Sequence, residues 1–167
     1  VGSLRSAMDQ LTEEEEKPQG LLRITMPVDV GEALLADLIA RFTAKYPGVV
    51  IEADASGRLV NLVEEGFDLA IRASFKLKDS SMVARKLFRT EIQLFAAPQY
   101  IARRGAPRNV EELAQHDVVM FHPPGTKADT LNLKAIVTKP RFVASDFSFL
   151  RSLLISGSVI GPLPTFS

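Results

Sequence analysis

The sequence has no cysteine, no tryptophan, two histidines, two tyrosines and no surplus of either charge. Without cysteine there are no disulfides, no thiolate metal ligands and no thiol nucleophile. Twenty basic residues cancel twenty acidic ones, so the chain has no bulk positive charge with which to neutralise nucleic-acid phosphates. No apolar run reaches the length needed to cross a bilayer, and no basic-then-apolar leader opens the sequence. Metal chemistry through paired histidines is poorly served, since His116 and His122 stand outside any His-Glu-x-x-His spacing. Gly-x-Ser-x-Gly, Gly-x-Gly-x-x-Gly and phosphate-loop patterns are all missing. Ser80-Ser81 reads as a turn with no base beside it, and Glu64-Glu65 as a solvated helix face. An enzyme is not expected, nor is a cofactor or metal.

What is present is an ordinary globular composition. The 167 residues are 46% hydrophobic and 24% charged, enough for one domain or two small lobes with a substantial core. Residues 1–20 differ from the rest: Leu4, Met8 and Leu11 form one apolar stripe on a polar helix, followed by an acidic run and Lys17-Pro18-Gln19-Gly20. A helix with so narrow a stripe cannot bury itself alone and reads as a connector. A strand is predicted over 21–26. The clearest helix is predicted over 32–46, where Leu34, Leu35, Leu38, Ile39, Phe42 and Tyr46 keep helical spacing until Pro47-Gly48 stops it. A strand at 49–55 follows.

The tract from Ser56 to Leu87 predicts a helix over 58–65, with Ser56 as N-cap candidate and Gly66 as its C-terminal stop. Strands are predicted over 67–72 and 82–87, with a turn at 79–81. Beyond it come strands at 92–97, 118–121, 135–144 and 159–163. Helices are predicted over 99–104, 109–114 (with an Asn109/Glu112 capping box) and 146–155; residues 123–134 read as loop. Strand–helix–strand–helix–strand at the start implies parallel strands joined by right-handed crossovers, hence an α/β fold.

The tract "RLVNLVEEGFDLAIR", then "DSSMVARKL", resembles the effector-binding domain of LysR-type transcriptional regulators. "LFAAPQYIARRGAPRNVEELAQHD" is similar to that family's crossover into a second lobe, and "PRFVASDFSFLRSLLISGSVIGPLP" to the stretch leading back. Two departures stand out: Gly157-Ser158-Val159-Ile160 lacks the family's second glycine, and the loop at 123–134 is short and has no tryptophan. The resemblance implies a two-lobed fold like that of type 2 periplasmic binding proteins, incomplete at its C-terminal end. It divides the chain into the end of a linker helix (1–20), a first lobe (21–95), a second lobe (96–163) and the start of the return to the first lobe (164–167). It implies a cytoplasmic regulator that senses a small-molecule effector between the lobes, assembles as a homodimer or homotetramer, and meets DNA only through an N-terminal winged helix-turn-helix outside this chain. No membrane contact is implied. The alternative is a free-standing periplasmic-type solute-binding protein.

Open α/β sheets bind ligands beyond the carboxyl ends of their strands, where helix N-termini present N–H groups. Helix starts at 27–31, 55–58 and 145–147 are expected to converge there. By resemblance, effector contacts fall at Val28, Asp29, Ser56, Gly57, Arg72, Ala73, Phe121, His122, Pro123, Ser145 and Asp146, with Ala97, Pro98, Gly161 and Pro162 lining the hinge. Each has a local reading as well. Asp29, three residues before Glu32, fits an N-cap with a capping box, and its charge disfavours an anionic effector at that helix start. Ser56 and Ser145 also read as caps, Arg72 as a strand-end cation snorkelling to solvent, and His122 as a packed or surface histidine.

Overall fold

The computed structural model describes residues 18–73, 82–123 and 139–166. Chain contacts divide these into two compact units: residues 18–56 and 60–72 form the first, and 57–59, 73, 82–123 and 139–166 the second. Residues 82–95, expected in the first lobe, group with the second unit. The connector helix, the turn at 79–81, the loop at 123–134 beyond Pro123, and the first part of the strand predicted at 135–144 lie outside the described residues.

The first unit is a parallel three-stranded sheet in the order β2-β1-β3. Strand β1 (Gly20–Met26) lies between β2 (Val49–Ala55) and β3 (Leu69–Ala70), and Met26 sits opposite Ala55. Its last three residues, Ile24, Thr25 and Met26, are all buried, as befits a central strand covered on both faces. Helix α1 occupies residues 28–45 in three pieces: an opening turn at Val28–Val30, a π-helical stretch at Gly31–Leu35, and an α-helix at Ala36–Lys45. It starts directly after the extended Pro27, which lacks the N–H a helix leaves unsatisfied. The predicted start at Glu32 is therefore too late, and Asp29 is no N-cap. It lies inside the first turn, where a negative charge complements the helix dipole. Gly31 lets α1 approach the sheet, because a Cβ there would lie 3.3 Å from Met26 Sδ. Val30 and Leu35 are buried, whereas Leu34 and Leu38 are exposed.

Helix α2 (Leu62–Glu65) is shorter than expected. Asn61 caps it, its Oδ1 accepting from Glu64 N–H at 3.5 Å, and Gly66 ends it with φ +68°. Ser56 does not cap this helix, which starts six residues after it with Asn61 in the capping position; its hydroxyl donates to Asp54 and its N–H to Met26 O. Residues 82–91 form no strand. They are extended and mostly exposed (Val83 completely so), without a pairing strand among the described residues. Arg23, on β1, donates to Glu52 on β2 and to the carbonyls of Glu65 and Gly66 that close α2. The hydrogen bond and charge of Glu52 raise the guanidinium pKa above its ordinary value.

The second unit is built on β5 (Val119–Phe121), whose two faces are both buried. Strand β4 (Ile92–Ala96) pairs antiparallel with β7 (Ile160–Pro164). A parallel bridge from Ile160 to Val118 sets β7 beside β5, and β5 pairs parallel with β6 (Phe142–Ala144). One side of β5 packs Val118 and Met120 with Tyr100 of α3 (Pro98–Arg104) and Leu113 of the 3-10 turn Glu111–Gln115. The other packs Val119 with Leu150 and Leu154 of α4 (Phe147–Ile155). Asn109 Oδ1 accepts from Glu112 N–H as expected, but the Glu112 carboxylate returns to Arg108 N–H, not to Asn109, and the turn is 3-10 rather than α. Tyr100 is fully buried; its hydroxyl accepts from Asp117 N–H at 3.0 Å and meets His116 Nδ1 at 3.0 Å.

Two stability measurements check this account. Gly161→Ala places a Cβ 2.3 Å from Val119 Cγ1 with Leu154 behind it; urea unfolding should give a loss of about 1–3 kcal/mol. Tyr100→Phe strips the partner from the part-buried backbone N–H of Asp117 and should cost about 0.5–1.5 kcal/mol on the same measurement. A neutral result at either position contradicts the close packing described.

Candidate functional site

The carboxyl edge of the first unit's sheet carries a connected polar cluster. Thr25 and Asp54 occupy adjacent strands at the same register. Thr25 Oγ1 donates to Asp54 Oδ2 at 3.2 Å, and Ser56 Oγ donates to the same oxygen at 3.0 Å. From the other side, Arg72 Nη2 donates to Thr25 Oγ1 at 2.6 Å and its Nη1 to Ile71 O at 3.2 Å. Thr25 is fully buried; Asp54, Ser56 and Arg72 are half-buried. The strands produce this grouping: parallel β2, β1 and β3 deliver all their carboxyl ends to one edge, and Ile71 N–H donating to Thr25 O carries the chain on to Arg72. The half-buried Val28 and Asp29 form the first turn of α1 at the end of β1, whose N–H groups precede the first intrahelical acceptors.

Of the first-unit residues predicted from sequence, Val28, Asp29, Ser56 and Arg72 therefore lie at this edge. Arg72 does not snorkel free, since its guanidinium is tied to Thr25 and Ile71. No helix starts at 55–58, so the expected convergence of three helix N-termini does not occur in that form. Gly57 and Ala73 are exposed and fall in the second unit.

That unit has its own carboxyl edge, where β5 and β6 end together with Phe121 opposite Ala144. His122 N–H donates to Ala144 O at 2.9 Å, and the rings of Phe121 and Phe147 stack with centroids 3.9 Å apart. Phe121, His122 and Pro123 are half-buried here. Asp146 is the N-cap of α4, accepting from Phe149 N–H at 2.8 Å, which leaves the neighbouring exposed Ser145 without the capping role. Gly161 and Pro162 stand in the β4–β7 ladder, opposite Phe95 and Leu94, while Ala97 and Pro98 begin α3.

Thr25 and Asp54 escaped the sequence reading. The signal that marks them is a polar side chain one residue from the carboxyl end of a mostly apolar strand: Thr before Met26, and Asp between Ala53 and Ala55. Chemically, the cluster can orient a small polar ligand through a hydroxyl and a helix start. Among the described residues, no group of three or more His, Asp or Glu side chains could hold a metal ion.

The LysR substrate binding domain family pattern matches residues 15–167. The chain is 34% identical over 171 residues to the HTH-type transcriptional regulator CrgA of Neisseria meningitidis, covering 98% of this chain and 56% of that protein. It is 36% identical over 107 residues to the HTH-type transcriptional regulator DmlR of Escherichia coli, covering 64% of this chain and 34% of that one. Among solved structures, the CrgA regulatory domain superposes with a TM-score of 0.77 at 36% identity, over 89% of this chain and 74% of the other. The full-length virulence activator AphB of Vibrio cholerae gives 0.74 at 26% identity, over 98% and 57%. The chain thus spans little more than half the length of the CrgA it matches. It belongs to the LysR substrate-binding domain family, and its α/β units have the periplasmic-binding-protein-like fold of that family's regulatory domains.

Proposed function

We propose that this chain is the effector-sensing part of a cytoplasmic LysR-type transcriptional regulator. A small molecule is held at the carboxyl ends of the parallel strands, and its binding biases an oligomer that acts on DNA through a helix-turn-helix region outside this chain. The observation that carries this reading is the polar cluster of Thr25, Asp54, Ser56 and Arg72 at the strand ends, beside the start of α1. Val28 and Asp29 at the start of α1 are effector contacts in this reading, as are Gly57, Ala73, Phe121, His122, Pro123, Ser145 and Asp146. Ala97, Pro98, Gly161 and Pro162 serve as hinge residues. An effector regulates only if it binds two arrangements of the oligomer with different affinity.

Oligomerisation as a homodimer or homotetramer uses the outward side of α1, where Leu38 is 53% exposed, and the edge strand β2, where Val50 is 63% exposed. Both are apolar positions that gain by leaving water. The similarity to transcriptional regulators over nearly the whole chain favours this function over a free-standing solute-binding protein. Among the described residues, no helix is long and apolar enough to cross a membrane.

A thermal-shift panel of small acids, amines, amino acids and aromatics tests the sensing role. An effector present at about a hundred times its Kd should raise the midpoint by roughly 5–10 °C, and Thr25→Val should abolish the rise while the variant remains folded. If no member of the panel moves the midpoint, the reading is lost. For assembly, light scattering coupled to size exclusion should show Leu38→Lys at a lower mass than the parent; an unchanged mass removes α1 from the interface.

A further inference from the structure

The hydrogen-bond polarity at the strand ends points to the class of ligand. An ionised carboxylate only accepts hydrogen bonds, whereas a hydroxyl has one proton to give and two lone pairs to offer. Asp54 Oδ2 receives the protons of both Thr25 Oγ1 and Ser56 Oγ. Thr25 Oγ1 also accepts from Arg72 Nη2, so the chain of donation runs from Arg72 to Thr25 to Asp54 and meets a second one arriving from Ser56. Ser56, half-buried at the mouth of this cluster, has spent its proton inward. What it presents to an incoming group is an oxygen lone pair.

We infer that the Ser56 subsite accepts a hydrogen-bond donor, such as an ammonium, an amide N–H or a hydroxyl, and turns away carboxylates. This rests on the effector-sensing reading above. A carboxylate brought against Ser56 Oγ finds lone pairs facing lone pairs unless the hydroxyl abandons Asp54, and Asp54 then keeps only the Thr25 hydroxyl of the two. Both terminal nitrogens of Arg72 already donate within the protein, Nη2 to Thr25 Oγ1 and Nη1 to Ile71 O. Asp29, in the first turn of α1, adds a second negative charge at this edge. Asp54 is thus a positioning residue: it acts through Ser56 and sets which end of the hydroxyl faces outward.

The test uses amine and carboxylate probes in matched pairs, benzylamine against benzoate and 1,4-diaminobutane against succinate, beside the wider panel. The wild-type chain should prefer the amine of each pair, with hydroxyl and amide compounds siding with the amines. Asp54→Ala removes the acceptor that holds the Ser56 proton inward and frees that proton to turn outward. It should reverse the order within a pair by about tenfold in Kd, the worth of one hydrogen bond turned round. Should Asp54→Ala fail to fold, Ser56→Ala carries the test by weakening amine binding without strengthening carboxylate binding. Carboxylates binding the wild type in preference to their amines, binding confined to compounds with no donor group, or an order unchanged in Asp54→Ala would each overturn the inference while leaving the sensing role intact. A panel in which nothing binds overturns both.

Discussion

Arg23 leaves the middle of β1 and is held on several sides at once. Its guanidinium takes the Glu52 carboxylate on β2 and the carbonyls of Glu65 and Gly66 at the end of α2, and lies over the Phe67 ring. Its backbone N–H donates to Asp68 just before β3, and Asp68 N–H returns to Arg23 O. One long side chain thereby closes a helix whose last carbonyls have no partner of their own and brings in the next strand. Gly66 is part of the same arrangement: it adopts a left-handed conformation, and a Cβ there would lie 2.9 Å from Arg23 Nη1. Because β3 is anchored in this way although only two residues long, the chain beyond it delivers Arg72 to Thr25.

The second unit reaches the same end by burial. Alternate residues of the strand segment 118–121 face opposite sides, so Val118 and Met120 enter one cluster and Val119 the other, with helices closing both. Gly161 permits β7 to run against Val119 without a side chain in the way. The edge that results places Phe121, His122 and Ser145 where β5 and β6 end together. Parallel strands covered by helices leave their carboxyl ends as the places where side chains and helix starts meet without a ladder to satisfy them.

Much of the fold was readable because its signals are local. The strand at 20–26, the stops at Pro47-Gly48 and Gly66, and the helix over 147–155 each follow from apolar period or turn chemistry within a few residues. The misplaced boundaries have identifiable physical causes. Asp29 has the composition of an N-cap, but Pro27 starts the helix ahead of it. Ser56 has the composition of a cap too, but the helix begins only at Leu62, where Asn61 takes the capping position. The strand expected over 82–87 has the residues of one, yet a strand needs a partner, and none lies beside it among the described residues.

The sequence by itself determined the family, the α/β class and most of the strand-end residues, since those follow from patterns carried along the chain. Tertiary structure alone decided that Thr25 and Asp54 join Ser56 and Arg72, and which of these atoms gives its proton to which. Residues far apart in sequence became neighbours only through the register of three parallel strands. Hydrogen-bond polarity is a property of that assembled group, not of any residue within it.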